Sequence, residues 1–274
     1  MRSGGSGERR APAPAYLQTG WQACKRQGMS NAPFAQVPER PRLPGGAVVG
    51  VALAAAATVG AAVSLARWLD DGRLVVRAAS LVFAGSAALL WLASRELSGP
   101  RLGAANAVTL ARAALAVLLA ALVGAAATPA LAWLLVGLGA AVVALDGADG
   151  ALARRRREAG EFGARFDMET DALLILVLAA LVWQHGKAGV WILAAGLARY
   201  VFVAASYAWP WLGAALPPSR RRQAVCVVQI GSLLGALLPV VPPPWSAVIA
   251  FAGLVTLLWS FAVDVRWLAR RAGA

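Results

Sequence analysis

The stretch Ala144–Leu176, ALDGADGALARRRREAGEFGARFDMETDALLIL, departs from the rest of the chain. Most of the sequence is Ala, Leu, Val and Gly. Here four aspartates, Asp146, Asp149, Asp167 and Asp171, stand among apolar runs, with four arginines, Arg154 to Arg157, between the two pairs. A carboxylate beside hydrocarbon is costly unless it is paired or bound to a cation.

The surrounding composition sets that cost. Of 274 residues, 59% are hydrophobic and only 14% are charged, against about a quarter in soluble domains. Such a chain belongs in a bilayer, where helices are the default because they satisfy their own backbone hydrogen bonds. The alternating ten-residue segments of a membrane barrel are absent. The sequence therefore predicts an all-α, polytopic membrane protein. The net charge of +13 is no argument for nucleic acid, since membrane proteins collect Arg and Lys in cytoplasmic loops. Cys24 and Cys226 make no metal spacing and no evident disulfide pair, and read as unremarkable thiols.

Outward from the aspartates, eight apolar segments are legible, at 46–66, 75–94, 108–126, 130–150, 168–184, 189–209, 224–241 and 246–265. Pro, Gly or charge marks each break. Residues 1–44 read as a disordered, basic, cytoplasmic tail, and Met29 is a plausible alternative start. The apolar region begins too late for a signal peptide. With the N-terminus inside, 21 of the 26 basic residues fall on the cytoplasmic side, Arg112 among them, and four fall outside. This bias follows the positive-inside rule and puts all four aspartates at the cytoplasmic face of an integral, multi-pass, cell-membrane protein. Trp68, Trp209, Trp211, Trp245 and Trp267 fall at span ends, as an interfacial belt would.

Spacing turns the aspartates into a constellation. Asp146 and Asp149 are i, i+3 at the end of one span, and Asp167 and Asp171 are i, i+4 at the start of the next. Helical neighbours at these spacings share a face, with Cβ atoms about 5–6 Å apart. A short loop makes the two spans antiparallel, so the pairs face each other. Hard divalent cations with oxygen ligands relieve the repulsion, and four carboxylates suffice for a pair of metals about 3.5–4 Å apart. Gly150 and Ala153 leave room on the same face, and Arg154 beside it suits phosphate.

These residues carry a family resemblance. Asp146-x2-Asp149-Gly150-x2-Ala153-Arg154-x8-Gly163-x3-Asp167-x3-Asp171 matches every fixed position of the signature of the CDP-alcohol phosphotransferases, and Asn106-x2-Thr109-x2-Arg112 resembles the element that precedes their first core span. The resemblance implies a six-helix core over 98–274, preceded here by two additional transmembrane helices at 45–97. It implies transfer of a phosphatidyl or related group from a CDP-linked donor, such as CDP-diacylglycerol, to a small or lipid alcohol, with release of CMP, in phospholipid biosynthesis. It also implies two divalent cations, Mg²⁺ or Mn²⁺, and a homodimer among membrane lipids. By position, Asp146, Asp149, Asp167 and Asp171 would hold the metals. Asp171 would also take the acceptor proton. Asn106, Thr109, Gly150 and Arg154 would contact the donor. Where some members carry Ser or Thr six residues after the motif arginine, this chain has Gly160. Which alcohol is accepted is not encoded in the motif.

Two rivals stand beside this reading: a divalent-cation transporter, which would need acidic groups deep in several spans, and a non-catalytic membrane protein, which an intact motif disfavours. Of the remaining charges, Arg220 to Arg222 are expected chiefly to orient the chain, with acceptor phosphate binding as the alternative. Arg199 is expected to face the cavity as a phosphate ligand or to pair with an aspartate. Glu169 reads as structural, Asp264 as a local partner of Arg266 and Arg271, and His185 as a solvated loop residue.

Overall fold

The computed structural model describes residues 45–96, 104–156 and 161–273, with side chains at 95, 96, 104, 105, 148–156, 161 and 162 left aside. The expected N-terminal tail and Arg157 therefore lie outside the described residues, as do the side chains of Arg154 to Arg156. Eight α-helices run through the described chain: α1 (Gly45–Leu69), α2 (Arg73–Glu96), α3 (Ala104–Ala121), α4 (Pro129–Arg156), α5 (Glu161–Gln184), α6 (Leu193–Ala208), α7 (Arg220–Leu237) and α8 (Trp245–Ala272). Short 3₁₀ turns at Val190–Ile192 and Pro210–Gly213 flank α6. Among the described residues there is no strand, and the protein is an all-α, multi-pass membrane protein.

Each apolar segment became one helix, but the helices do not stop where the hydrocarbon-like residues stop. α5 begins at Glu161, seven residues before its apolar run, and α4 continues to Arg156. Helical hydrogen bonding needs no apolar side chains, so polar turns extend the helices past the apolar runs and carry the aspartates inside regular helix. Five helical stretches, Gly45–Leu69, Arg73–Ser94, Pro129–Gly147, Val190–Ala208 and Trp245–Ala272, are long and apolar enough to cross a membrane alone. The other three helices, α3, α5 and α7, carry Arg112, the acidic cluster of α5, and Arg220 to Arg222.

Two of these polar-marked helices form the centre. α3 packs on α1, α2, α4 and α5, while α5 packs on α3, α6 and α7. Leu178, Ala179, Leu181 and Val182 of α5 are fully buried and form one broad face turned into the bundle, while Trp183 on the other side is exposed. α1 and α2 are peripheral and turn Leu53, Val76, Phe83 and Trp91 outward, as lipid-facing helices do. Trp68, Trp209 and Trp245 are also exposed, as the interfacial reading requires.

Small residues set the closest helix crossings. A Cβ on Gly196 of α6 would meet the backbone of Leu176 on α5, and one on Gly253 of α8 would strike Ser232 of α7. In lipid, where tails are as apolar as the side chains, such close contact is a main source of association. At the end of the helices away from the aspartates, side chains close the loops. Gln184 accepts from the Gly124 N–H at 2.6 Å and donates to the Ala125 carbonyl at 2.7 Å. Lys187 donates to the carbonyls of Leu238 at 2.9 Å and Val241 at 2.6 Å. Arg77 pairs with Asp71 and donates to the Val123 carbonyl, tying α2 to the core loop after α3. His185, expected in solvent, is half-buried beside this network, with its Nε2 enclosed and unpartnered.

Candidate active site

The central helices bring three of the four motif aspartates together. Asp146 comes from α4 and Asp167 and Asp171 from α5, and each offers a carboxylate oxygen within 4.8 Å of the others. The i, i+4 spacing on α5 aligns Asp167 and Asp171, and antiparallel packing through α3 presents Asp146 to them. Asp149 and Gly150 belong to the same helix α4, as does Arg154, but the placement of the Asp149 and Arg154 side chains and the surroundings of Gly150 lie outside the described residues.

Between the carboxylates lies Arg112 of α3. The sequence reading counted it with the orienting charges of the cytoplasmic face. It is instead 1% exposed, the largest fully buried side chain among the described residues. Its Nη1 lies 2.8 Å from Asp146 and also bonds Asp167, and its Nη2 bonds Asp171 at 2.5 Å. A planar guanidinium can serve several carboxylate oxygens at once, which an ammonium cannot do with the same geometry. The physical reason for its burial is charge: three carboxylates at the end of an apolar bundle demand a cation. The signal available in the sequence was a single arginine inside an otherwise apolar helix.

That guanidinium does not complete the balance. Three carboxylates carry −3 and Arg112 carries +1, leaving a formal −2 across the cluster. The donors are all hard oxygens, and the aspartates remain open to solvent, with 40%, 44% and 23% of the side chains of Asp146, Asp167 and Asp171 exposed. A hard divalent cation fits both the donor set and the residual charge.

Asn106, Thr109 and Arg112 are spaced i, i+3, i+6 along α3, in a stripe that leads to the carboxylates. Thr109 is buried. Asn106 lies opposite Gly163 at the start of α5, where a Cβ would come within 2.7 Å of Asn106 Oδ1. Gly163 therefore makes room for that amide, which accounts for a glycine at this place in the motif. On the other flank, the Cys226 thiol of α7 lies 3.5 Å from Asp171 Oδ2 and donates to it. Cys226, read from the sequence as unremarkable, is thus a neighbour of the site; nothing local in the sequence links it to Asp171, 55 residues away.

The other charges resolve differently from expectation. Arg199 pairs with Glu169 of α5 rather than with an aspartate or an open cavity. Asp264 binds Arg221, and more distantly Arg222 at 3.4 Å, in place of Arg266 or Arg271. Arg221 also donates to the carbonyl and hydroxyl of Ser260, at 2.6 and 2.7 Å, so its guanidinium is committed to α8.

No curated protein and no solved structure matches the chain. A family comparison does: residues 102–260, more than half of the chain, match the CDP-alcohol phosphatidyltransferase profile. That span begins just before α3 and ends in α8, so it contains every residue of the carboxylate cluster, and the chain belongs to the CDP-alcohol phosphatidyltransferase family.

Proposed function

We propose that the protein transfers a phosphatidyl or related phospho-alcohol group from a CDP-linked donor such as CDP-diacylglycerol to an alcohol, releasing CMP, as a step of phospholipid synthesis. The observation that carries this is the convergence of Asp146, Asp167 and Asp171 on one buried cation in a chain of this family. Asn106 and Thr109 of α3, with Gly150 and Arg154 of α4, receive the CDP portion. Asp171, with one oxygen held by Arg112 and the other facing Cys226, takes the proton of the acceptor hydroxyl. The acceptor oxygen then bonds to the phosphorus that carries the lipid. The bond from that phosphorus to the bridging oxygen breaks, and CMP departs with the electron pair. Alignment of donor and acceptor supplies much of the rate.

The site suits two divalent cations, Mg²⁺ or Mn²⁺, with Asp146, Asp149, Asp167 and Asp171 as ligands. Their contribution when bound is to neutralise the diphosphate and the charge developing on the leaving phosphate. A lipid donor and a water-soluble product meet only at a membrane surface. The charge asymmetry of the loops supports the cytoplasmic one, and the lipid-facing helices leave room for a homodimer.

The test is CMP release from CDP-diacylglycerol by membranes containing the protein, with Mg²⁺ and a panel of alcohols: glycerol 3-phosphate, inositol phosphate, serine and phosphatidylglycerol. Asp171→Asn should lower the rate by roughly 10²–10⁴-fold, the usual worth of a general base, with the folded protein still extracted intact. Divalent-cation transport that persists in Asp171→Asn, with no CMP release from any acceptor in the native protein, would assign the cluster to permeation instead.

A further inference from the structure

A second feature lies beside the carboxylates, where two helices outside the family match meet two within it. α1 and α2 close, against α3 and α5, a cavity of about 290 Å³. Its walls are almost wholly apolar. The central helices contribute Leu110 and Ala113 of α3, and Phe166 and Thr170 of α5. Ala113 follows Arg112 in the chain, and Phe166 and Thr170 precede Asp167 and Asp171. The same helical turns therefore present charge on one face and the cavity wall on the next.

The cavity lies level with the carboxylates: residues 110–117 of α3 and 166–173 of α5 run past Arg112, Asp167 and Asp171, and residues 51–58 of α1 and 82–92 of the antiparallel α2 close it. Small residues hollow it: Ala55 on α1 and Gly85 on α2 stand where larger side chains would fill it. Glu169, the one charged lining residue, has its charge met by Arg199. The space accommodates about ten methylene groups, taking each as the ~30 Å³ that a water occupies.

We infer that this cavity receives one hydrocarbon chain of the CDP-linked lipid donor, with its diphosphate at the carboxylates. The inference rests on the reaction proposed above. Within a bilayer, an apolar cavity can only take hydrocarbon. The donor is favoured over other lipids because α3 carries both Asn106 and Thr109 and the adjacent wall. The bilayer already solvates lipid tails, so the cavity adds little affinity. It sets the register of the reacting phosphorus, and α1 and α2, absent from the matched span, would thereby select donors by their chains.

Gly85 offers a clean perturbation, because a Cβ built there meets nothing within 4 Å. Gly85→Leu and Ala55→Phe place bulk in the cavity from two helices. Gly60→Leu, also in open space on α1 but outside the lining, is the control. CMP release from a donor with long acyl chains should fall between roughly tenfold and a hundredfold in both filling variants, the cost of misplacing a reacting group. Release from a dihexanoyl donor should be unchanged, as should both rates in Gly60→Leu. An equal loss on both donors, or on neither, overturns the proposal. A second measurement does not depend on turnover: CDP-diacylglycerol with a photoreactive group in one chain should label α1 and α2, and Gly85→Leu should suppress this. Equal labelling by phosphatidylcholine with the same chain would show bulk lipid in the cavity and overturn the inference, as would no labelling. If the native protein releases no CMP at all, the reaction falls, and the labelling alone decides the cavity.

Discussion

Replacing Arg112 by Gln removes the one side chain that, among the described residues, bridges all three carboxylates, and leaves a neutral amide too short to reach them in the same way. Stripping one partner from a buried ion pair costs about 3–5 kcal/mol, because the remaining charge is left uncompensated. Here the aspartates keep 40%, 44% and 23% of their side chains in contact with solvent, so water screens part of that loss. We therefore expect about 2–3 kcal/mol, near a hundredfold in the folded-to-unfolded ratio at about 1.4 kcal/mol per tenfold. Arg112→Lys should lie between, since a lysine restores the charge but not the planar fork that reaches three partners. The measurement is unfolding in mixed detergent micelles, with and without Mg²⁺. A cation that binds only the folded state stabilises it in proportion to the logarithm of its occupancy ratio. The described cluster changes from a formal −2 to −3 in Arg112→Gln, so the same Mg²⁺ concentration should restore more stability to the variant than it adds to the native protein. Native stability in Arg112→Gln without added metal would refute the claim that the guanidinium balances the carboxylates. A Mg²⁺ response no larger in the variant would refute the claim that arginine and metal act on the same oxygens.

Three further perturbations follow from the packing and the loops. Gly163→Ala would bring a methyl within 2.7 Å of Asn106 Oδ1; the amide can rotate away, so stability should hold while the KM for the CDP-linked donor rises by several-fold, read from initial rates of CMP release. Gly196→Ala has no such escape, because the new methyl meets the backbone of Leu176; it should cost about 1–3 kcal/mol through separation of α5 and α6, visible as a lower detergent unfolding midpoint. His185 sits in the loop after α5, and burial, with the Lys187 ammonium nearby, lowers its pKa below the ordinary 6.5. The unfolded chain then binds the proton more readily than the folded one, so the stability from a neutral His185 is complete above about pH 6.5 and is lost as pH falls toward the folded value. An unfolding midpoint recorded from pH 8 to pH 5 should decline more steeply in the native protein than in His185→Gln, and parallel curves would remove His185 from the account.

How much of this was legible before the fold depended on the kind of signal. The eight helices were readable because each apolar run is long and ends in Pro, Gly or charge. Their polar extensions were not, since Glu161 to Asp167 carries no apolar periodicity yet continues the helix of α5. The aspartates were readable because i, i+3 and i, i+4 are local relations. The roles of Arg112 and Cys226 were not, because they depend on α3 and α7 meeting α5, and such adjacency leaves no mark in either helix alone. Asp264 shows the same limit: Arg266 and Arg271 are near in sequence, but on a helix i+2 faces away and i+7 lies two turns off, and the carboxylate turns to Arg221 on α7.

These misses share a physical cause, and it points to a better way of reading such chains. In a bilayer every helix is apolar, so apolarity says little about which helix lies beside which. A charge is different, because the membrane makes an unpaired one costly and the fold must supply its partner. The ion pairs of the bundle record that demand. Arg112 joins α3 to α4 and α5, Arg199 joins α6 to α5 through Glu169, and Arg221 joins α7 to α8 through Asp264. Each pair links helices that also pack directly. An arginine inside an apolar run is therefore best read as one half of a contact, with its other half sought among the acids of another span. Applied to this sequence, that rule would have directed Arg112 to the only dense acidic cluster, and with it α3 to the centre of the site.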